Sequence, residues 1–238
     1  MFRQLVAGST AARVPPSDPA FAQRLAFALS RFEEGERTVA LLERQFPAVM
    51  ARRPLTVLDL GSGNGGMLFP FSGVGKLIAV DVYVDPDVRA FARSLGVPLL
   101  HLLGKAQGLP LRSGSIDLVL LAEVIEHLEN PRAAGLEVAR LLRPGGICLV
   151  STPPRLKFLL RPDPHYAISG LLLLPDPLQR KVARDVFGRR DYDVDHIYST
   201  TWGIQRLFPK RYFDLHVISH RKDWTRHLSW NYLAFERR

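Results

Sequence analysis

Cysteine is almost absent: the 238 residues hold one, Cys148. A disulfide framework and a cysteine-rich metal site are thereby excluded, and a reducing compartment fits. Its setting, Gly146-Ile-Cys-Leu-Val150, predicts a buried strand residue rather than a nucleophile. Long apolar runs are missing as well. No stretch approaches the roughly 20 residues that span a bilayer, so no stable membrane insertion is expected. Met1–Ala12 lacks the apolar core of a signal peptide, and a cytoplasmic location is the expectation. An acidic excess is also lacking. Lys and Arg number 32 against 23 Asp and Glu, a formal charge of +9. That balance suits anionic partners, but the arginines are scattered, with no long basic block and no basic-aromatic module. A solvated basic surface is the plainer reading. No internal repeat or low-complexity segment appears.

What is present is a 47% hydrophobic composition, enough for one α/β domain with additions. Residues 1–17 form a weakly patterned arm ending in Val14-Pro-Pro-Ser. Ser17 or Asp18 can cap a helix with Pro19 at its first position. Its apolar side is Phe21, Leu25, Phe27, Ala28 and Phe32, and a second helical pattern runs from Glu36 to about Met50. Strand patterns then recur at 55–60, 76–80, 98–103, 116–121 and 147–151. Helices are expected near 86–95 and at 131–142, the latter capped by Asn130 and stopped by Pro144-Gly-Gly146. This alternation predicts a doubly wound, mostly parallel seven-stranded sheet with helices on both faces. Ligands bind such sheets beyond the carboxyl ends of the strands. The pattern breaks from Pro153 to Asp195, read as a lid or substrate insertion with a helix over 177–187. A helix near 201–208 and strands at 212–219 and 229–235, joined by a polar turn at Arg221-Lys-Asp, predict an antiparallel hairpin at the end. The organisation expected is a single domain: an extension over 1–53, a core over 54–152, the insertion over 153–195, and the closing helix and hairpin over 196–238.

The core is organised around Thr56-Val-Leu-Asp-Leu-Gly-Ser-Gly-Asn-Gly-Gly66. An apolar strand ends in an acid, and a glycine loop follows where backbone can approach a ligand. Gly61, Gly63 and Gly66 satisfy G-x-G-x-x-G, so a nicotinamide dinucleotide site must be weighed. Two features tilt away from it. Asp59, two residues before the first glycine, suits a cationic group and would repel a pyrophosphate. Leu141-Leu-Arg-Pro-Gly-Gly-Ile147 is very similar to the turn before the fifth strand of class I S-adenosylmethionine (SAM)-dependent methyltransferases.

The resemblance to that superfamily covers residues 55–152. It implies SAM as cofactor. Asp59, Gly61, Ser62 and Gly63 would hold the methionine end. Asp81, with Val82 beside it, would take the ribose hydroxyls. Ala106 and Gln107 would flank adenine in Leu103-Gly-Lys-Ala-Gln-Gly-Leu-Pro-Leu111. The family often has an acid where Lys105 stands, and a protonated Lys105 cannot accept a hydrogen bond. Ser115-Ile-Asp-Leu-Val119 resembles the start of the fourth strand.

Glu123, Glu126 and His127 follow that strand at i, i+3 and i+4, which share a face on a helical turn. They are the candidate catalytic residues. With His196, or with His165, they are also candidate ligands of a divalent metal. Similar E-x-x-E-H clusters occur in small-RNA 3′-terminal 2′-O-methyltransferases and in ubiquinone-type phenol O-methyltransferases. The same residues can instead shape the acceptor pocket, or His127 can act as a metal-free base. Tyr166, Tyr192, Tyr198 and Trp202 can wall a flat acceptor or anchor the insertion. The function expected is methyl transfer from SAM to a small-molecule acceptor, on oxygen. RNA methylation and non-catalytic SAM binding are the alternatives.

Overall fold

The computed structural model describes residues 16–83, 88–89, 92–93, 96–160, 162, 166–188, 198, 200–218 and 232–238. Seven strands form one sheet in the order β3-β2-β1-β4-β5-β7-β6. They are β1 (Leu55–Leu60), β2 (Gly75–Asp81), β3 (Leu99–Leu103), β4 (Ile116–Ala122), β5 (Leu142–Ser151), β6 (Phe213–Ile218) and β7 (Tyr232–Arg237). β1 pairs in parallel with β2 and β4, and β2 with β3. β7 runs antiparallel to both β5 and β6, as the closing pattern predicted. The polar turn expected at Arg221 lies outside the described residues.

The chain divides into two compact units: residues up to Leu120 with Leu141–Gly146, and Leu121–Arg140 with Ile147 onward. In the first unit the strand interiors are continuous apolar runs. Leu55, Val57, Leu58, Leu60, Leu77, Ala79, Val80 and Leu118 are all buried, as expected of parallel strands covered on both faces. An ion pair between the buried Asp117 and the partly exposed Arg143 ties the amino ends together. Asp117 accepts from the Thr56 amide at 2.8 Å and meets Arg143 Nη1 at 2.9 Å. Arg143 also donates to the Ser115 carbonyl at 3.1 Å. The Asp of the β4 pattern and the Arg of Leu-Arg-Pro-Gly-Gly are therefore one structural contact.

Two expectations about this unit need correction. The first concerns the amino-terminal helices, which are one helix, α1 (Pro19–Gln45, 27 residues), followed by the single turn α2 (Pro47–Met50). No proline interrupts 20–46, and Gly35 does not break the helix because it is a contact point. A Cβ there would lie 2.7 Å from the Met67 carbonyl and from Pro70 Cγ. Ala28, Thr38 and Leu42 line the buried stripe, whereas Phe27, expected inside, is 63% exposed. The second concerns Pro144-Gly-Gly146. It stops helix α3 (Pro131–Leu141) only in the sense that β5 begins at once. Arg52 secures this stretch by donating to the Pro144 and Gly145 carbonyls.

In the second unit, α3 starts where Asn130 Oδ1 accepts from the Ala133 amide at 3.0 Å. Phe208 stacks on Phe235 at 4.0 Å and meets Phe213 edge-on at 5.6 Å, filling the space beneath the β6–β7 pair. Helix α4 (Asp176–Asp185) and the short α5 (Thr201–Gln205) follow β5 in the chain. Cys148 is fully buried, and burial pushes its thiol well above the usual range, so it is the inert strand residue its setting predicted.

Candidate functional site

Within the first unit, the carboxyl ends of β1 and β2 are laced to one loop. Gly61 and Ser62 amides donate to the Val80 carbonyl at 2.8 and 3.1 Å. Gly66 donates to Asn64 Oδ1 at 2.9 Å. Gly61, Gly63 and Gly65 all have positive φ, at 75°, 49° and 75°, a backbone that a side chain would strain. Asp81 organises the corner. Its Oδ2 accepts from the Gly63 amide at 2.8 Å and its Oδ1 from the Tyr83 amide at 3.0 Å. A carboxylate has about four lone-pair sites, so Asp81 keeps acceptor capacity for a vicinal diol. The Gly104 amide donates to the Asp81 carbonyl at 2.9 Å, bringing the loop after β3 to the same corner. In that loop Ala106 is buried and Gln107 half-buried, while Lys105 points to solvent. Val82, Tyr83 and Leu103 are 71%, 65% and 68% exposed. They form an apolar rim beside Asp81, and Leu103 is its register partner across the β2–β3 ladder.

Asp59 is the other acid of this corner. It is 2% exposed, and its Oδ2 has no hydrogen-bond partner among the described residues, nor does the buried Ser62 hydroxyl. Burial pushes the Asp59 carboxyl up to about 7, against the charge of Arg31, which lowers it, while Asp81 raises it further. Arg31 was missed by sequence reasoning. It lies on α1, pairs with Glu34 at 2.6 Å with its side chain 16% exposed, and its Cβ would be 2.9 Å from a Cβ on Gly66. The only signal available was a cation on a helix ahead of the loop, and nothing in spacing alone tied it there. A buried acid lacking a partner, a nearby guanidinium, a diol acceptor and an apolar rim fit an aminoacyl nucleoside with a cationic amine. They do not fit a pyrophosphate.

Within the second unit, the turn after β4 differs from the expected helical turn. Ile125–His127 is a 3₁₀ turn, and Glu123, ahead of it, has φ 57°, uncommon for a residue with a side chain. Its amide donates to the Ser151 carbonyl at 2.9 Å, holding the strained residue at the strand end. The consequence is a split of the three candidates. Glu126 is buried, 2% exposed, whereas Glu123 and His127 face solvent. The shared face is overturned, because the left-handed residue and the tighter turn rotate the three side chains apart. Among the described residues no three His, Cys, Asp or Glu side chains gather as a metal site. His165, His196 and Tyr192 lie outside the described residues.

Glu126 lies near Tyr198. Burial, and then the Glu126 charge, push the Tyr198 phenol above its usual range. The Tyr198 carbonyl accepts from the Arg155 amide at 3.1 Å. Ser151, at the end of β5, is buried, and its hydroxyl has no hydrogen-bond partner among the described residues. Of the aromatics read as walling an acceptor or anchoring the insertion, Tyr166 is buried in a small core and Trp202 is 52% exposed.

Residues 58–150 match the model of the methyltransferase domain family. Over that stretch, which is less than half of the chain, the core is similar to methyltransferase domains. The chain is 37% identical over 103 residues to a probable S-adenosylmethionine-dependent methyltransferase of Mycolicibacterium smegmatis, covering 43% of this chain and 39% of that one. It is 36% identical over 120 residues to a methyltransferase of Mycolicibacterium gilvum, covering 48% and 46%. It thus spans about half the length of the curated relatives it matches. The fold is that of a Pyrococcus horikoshii protein, with TM-score 0.62 at 20% identity over 96% of this chain and 98% of that one. It is likewise that of the 1,6-didemethyltoxoflavin-N1-methyltransferase of Burkholderia thailandensis, with TM-score 0.55 at 16% identity over 99% and 88%. The corner around Asp59 and Asp81 fits SAM, the cofactor named for the Mycolicibacterium smegmatis relative. Among the described residues no helix is long and apolar enough to cross a membrane.

Proposed function

We propose that the chain transfers the methyl group of SAM to a hydroxyl oxygen of a small molecule. The observation that carries this reading is the turn after β4: His127 exposed to solvent, next in sequence to a buried Glu126 that lies near a phenol. A hydroxyl acceptor must lose its proton as it is methylated, and a histidine titrates in the range where that is efficient. SAM supplies an activated methyl group when bound; the protein's part is orientation and proton removal. His127 accepts the acceptor's proton. Glu126 and Tyr198 shape the wall beside it, and Glu123 rims it.

On the cofactor side, Asp59 faces the methionine ammonium and Arg31 its carboxylate. The Gly61–Gly63 amides and Ser62 line that end. Asp81 takes the ribose hydroxyls, and Val82, Ala106 and Gln107 border the adenine. A small-molecule acceptor is in keeping with the Burkholderia thailandensis protein, which holds 1,6-didemethyltoxoflavin and S-adenosylhomocysteine. That protein modifies nitrogen, so the acceptor atom needs its own test.

The test is isotope transfer. Methyl-labelled SAM is incubated with the protein and a metabolite extract, and labelled products are resolved by mass spectrometry and NMR. The expected product is a methyl ether or ester of a small molecule. Label on nitrogen or in RNA overturns the reading, as does its absence. With the acceptor in hand, His127→Ala should lower kcat by about 100-fold with KM for SAM little changed. For Arg31→Met, affinity for S-adenosylhomocysteine should fall while that for methylthioadenosine, which lacks the amino acid, stays level.

A further inference from the structure

In the second unit, the described residues of 155–188 pack around a core of their own. Tyr166, Leu171, Leu172 and Ala183 are buried together, with Phe158, Ile168, Leu174 and Val182 packed against them. Gln179 fastens α4 to this core by donating to the Leu174 carbonyl at 2.6 Å. The Gly170 amide donates to the Phe158 carbonyl at 2.8 Å. With that core complete, six large apolar side chains still stand in water. Leu159 is 49% exposed, Leu160 86%, Leu173 38%, Leu178 44%, Val186 69% and Phe187 51%. Single exposed apolar residues are ordinary, but such a concentration in one segment marks an interaction surface.

The charges of the segment point to the partner. Gln179 and Ala183, one helical turn apart, face the core. At about 100° per residue, Lys181 and Arg184 project to the other side of α4 and the half-buried Arg180 to its flank. Arg184 is partly met by Asp185 at 2.8 Å. Across residues 155–190 the sequence holds eight Lys and Arg against three Asp, a concentrated share of the chain's +9. We propose that this segment docks the protein on an anionic lipid surface. Its exposed leucines, Val186 and Phe187 enter the headgroup boundary, and the basic side of α4 meets lipid phosphates. The exposed apolar groups are mostly aliphatic. A single-stranded nucleic acid would instead favour aromatic platforms for its bases.

The experiment is co-sedimentation of the full chain with vesicles of phosphatidylcholine alone or mixed with phosphatidylglycerol. The protein should pellet with the mixed vesicles, not with the neutral ones, and less so as salt rises. Arg180→Glu with Lys181→Glu should lower the partition by about tenfold or more, and so should Leu160→Asp with Phe187→Asp. Unchanged thermal midpoints and S-adenosylhomocysteine binding would show that both pairs fold. If the apolar pair does not fold, Leu160→Ser reads the same contact. Absence of pelleting with anionic vesicles overturns the proposal. Binding that neither pair changes overturns it too, and so does capture by short RNA without capture by vesicles.

Discussion

Asp59 and Glu126 are both buried carboxylates just beyond or at the end of a parallel strand, yet they are built differently. Asp59 stands in regular β1, with its nearest opposite charge on α1, and the loop after it is tied down by its own amides and by Asp81. Glu126 stands in a 3₁₀ turn behind a left-handed residue, and the group whose titration it shifts, Tyr198, lies more than seventy residues on. The first environment repeats a short contiguous pattern; the second is assembled from distant pieces. On the function proposed above, the first environment would hold a donor common to many enzymes and the second an acceptor particular to this one, which needs parts that vary independently.

The comparison can be broken most strongly at Asp81. Asp81→Ala removes the anchor of the Gly63 and Tyr83 amides together with the diol acceptor. Affinity for S-adenosylhomocysteine should fall on the order of 100-fold by titration calorimetry; an unchanged affinity would dissolve the ribose assignment.

Asp117→Ala should destabilise the protein by about 2–3 kcal/mol in urea unfolding, because Arg143 and the Thr56 amide lose their partner. The figure is kept below that of a fully buried pair, since the Arg143 side chain is 38% exposed.

A third expectation concerns pH. The folded carboxyl of Asp59 is raised to about 7 from 3.8, so the native state holds its proton more tightly than the unfolded chain. Stability of the ligand-free protein from this group is therefore full below the unfolded value and declines as pH rises towards about 7. Binding of a cationic amine favours the ionised form. Affinity for S-adenosylhomocysteine should thus rise by about tenfold between pH 6 and 8, with proton release at the acid end. Asp59→Asn should flatten that slope in calorimetry.

The smallest effect is expected at Glu123. Glu123→Gly relieves a positive φ and should stabilise by up to about 1 kcal/mol, read as a thermal midpoint a few degrees higher. A clear loss of stability would show that the Glu123 side chain, and not its backbone, holds the turn.

Most of the sheet was legible from the chain. β1, β2 and β4 lie where apolar runs end in acids or glycines, and the later part of β5 where such a run ends in Ser151-Thr-Pro, since strands buried on both faces leave that mark. The single helix over 19–45 was not, because an isolated glycine reads as a break unless its neighbours are known. Gly35 is small to admit the Met67 carbonyl, a tertiary fact. The meeting of Asp81 with the Gly61–Gly63 loop was legible, since nearby backbone sets it, and their part in holding a cofactor is the proposal made above. Arg31 was not, being brought in by packing of α1. For Glu123, Glu126 and His127 the spacing suggested one helical face, and a single left-handed residue undid it.

By itself, then, the sequence determined the alternating strands and the glycine loop with its two acids, and with them the donor that is proposed. These are local: period, turn chemistry and charge within a few residues. Tertiary structure alone decided that Arg31 sits by Asp59, that Asp117 and Arg143 lock the strand starts, and that Glu126 turns in near Tyr198 while His127 turns out. Each of these depends on segments far apart in the chain packing together, and on burial that removes water from a charge. No periodicity encodes either.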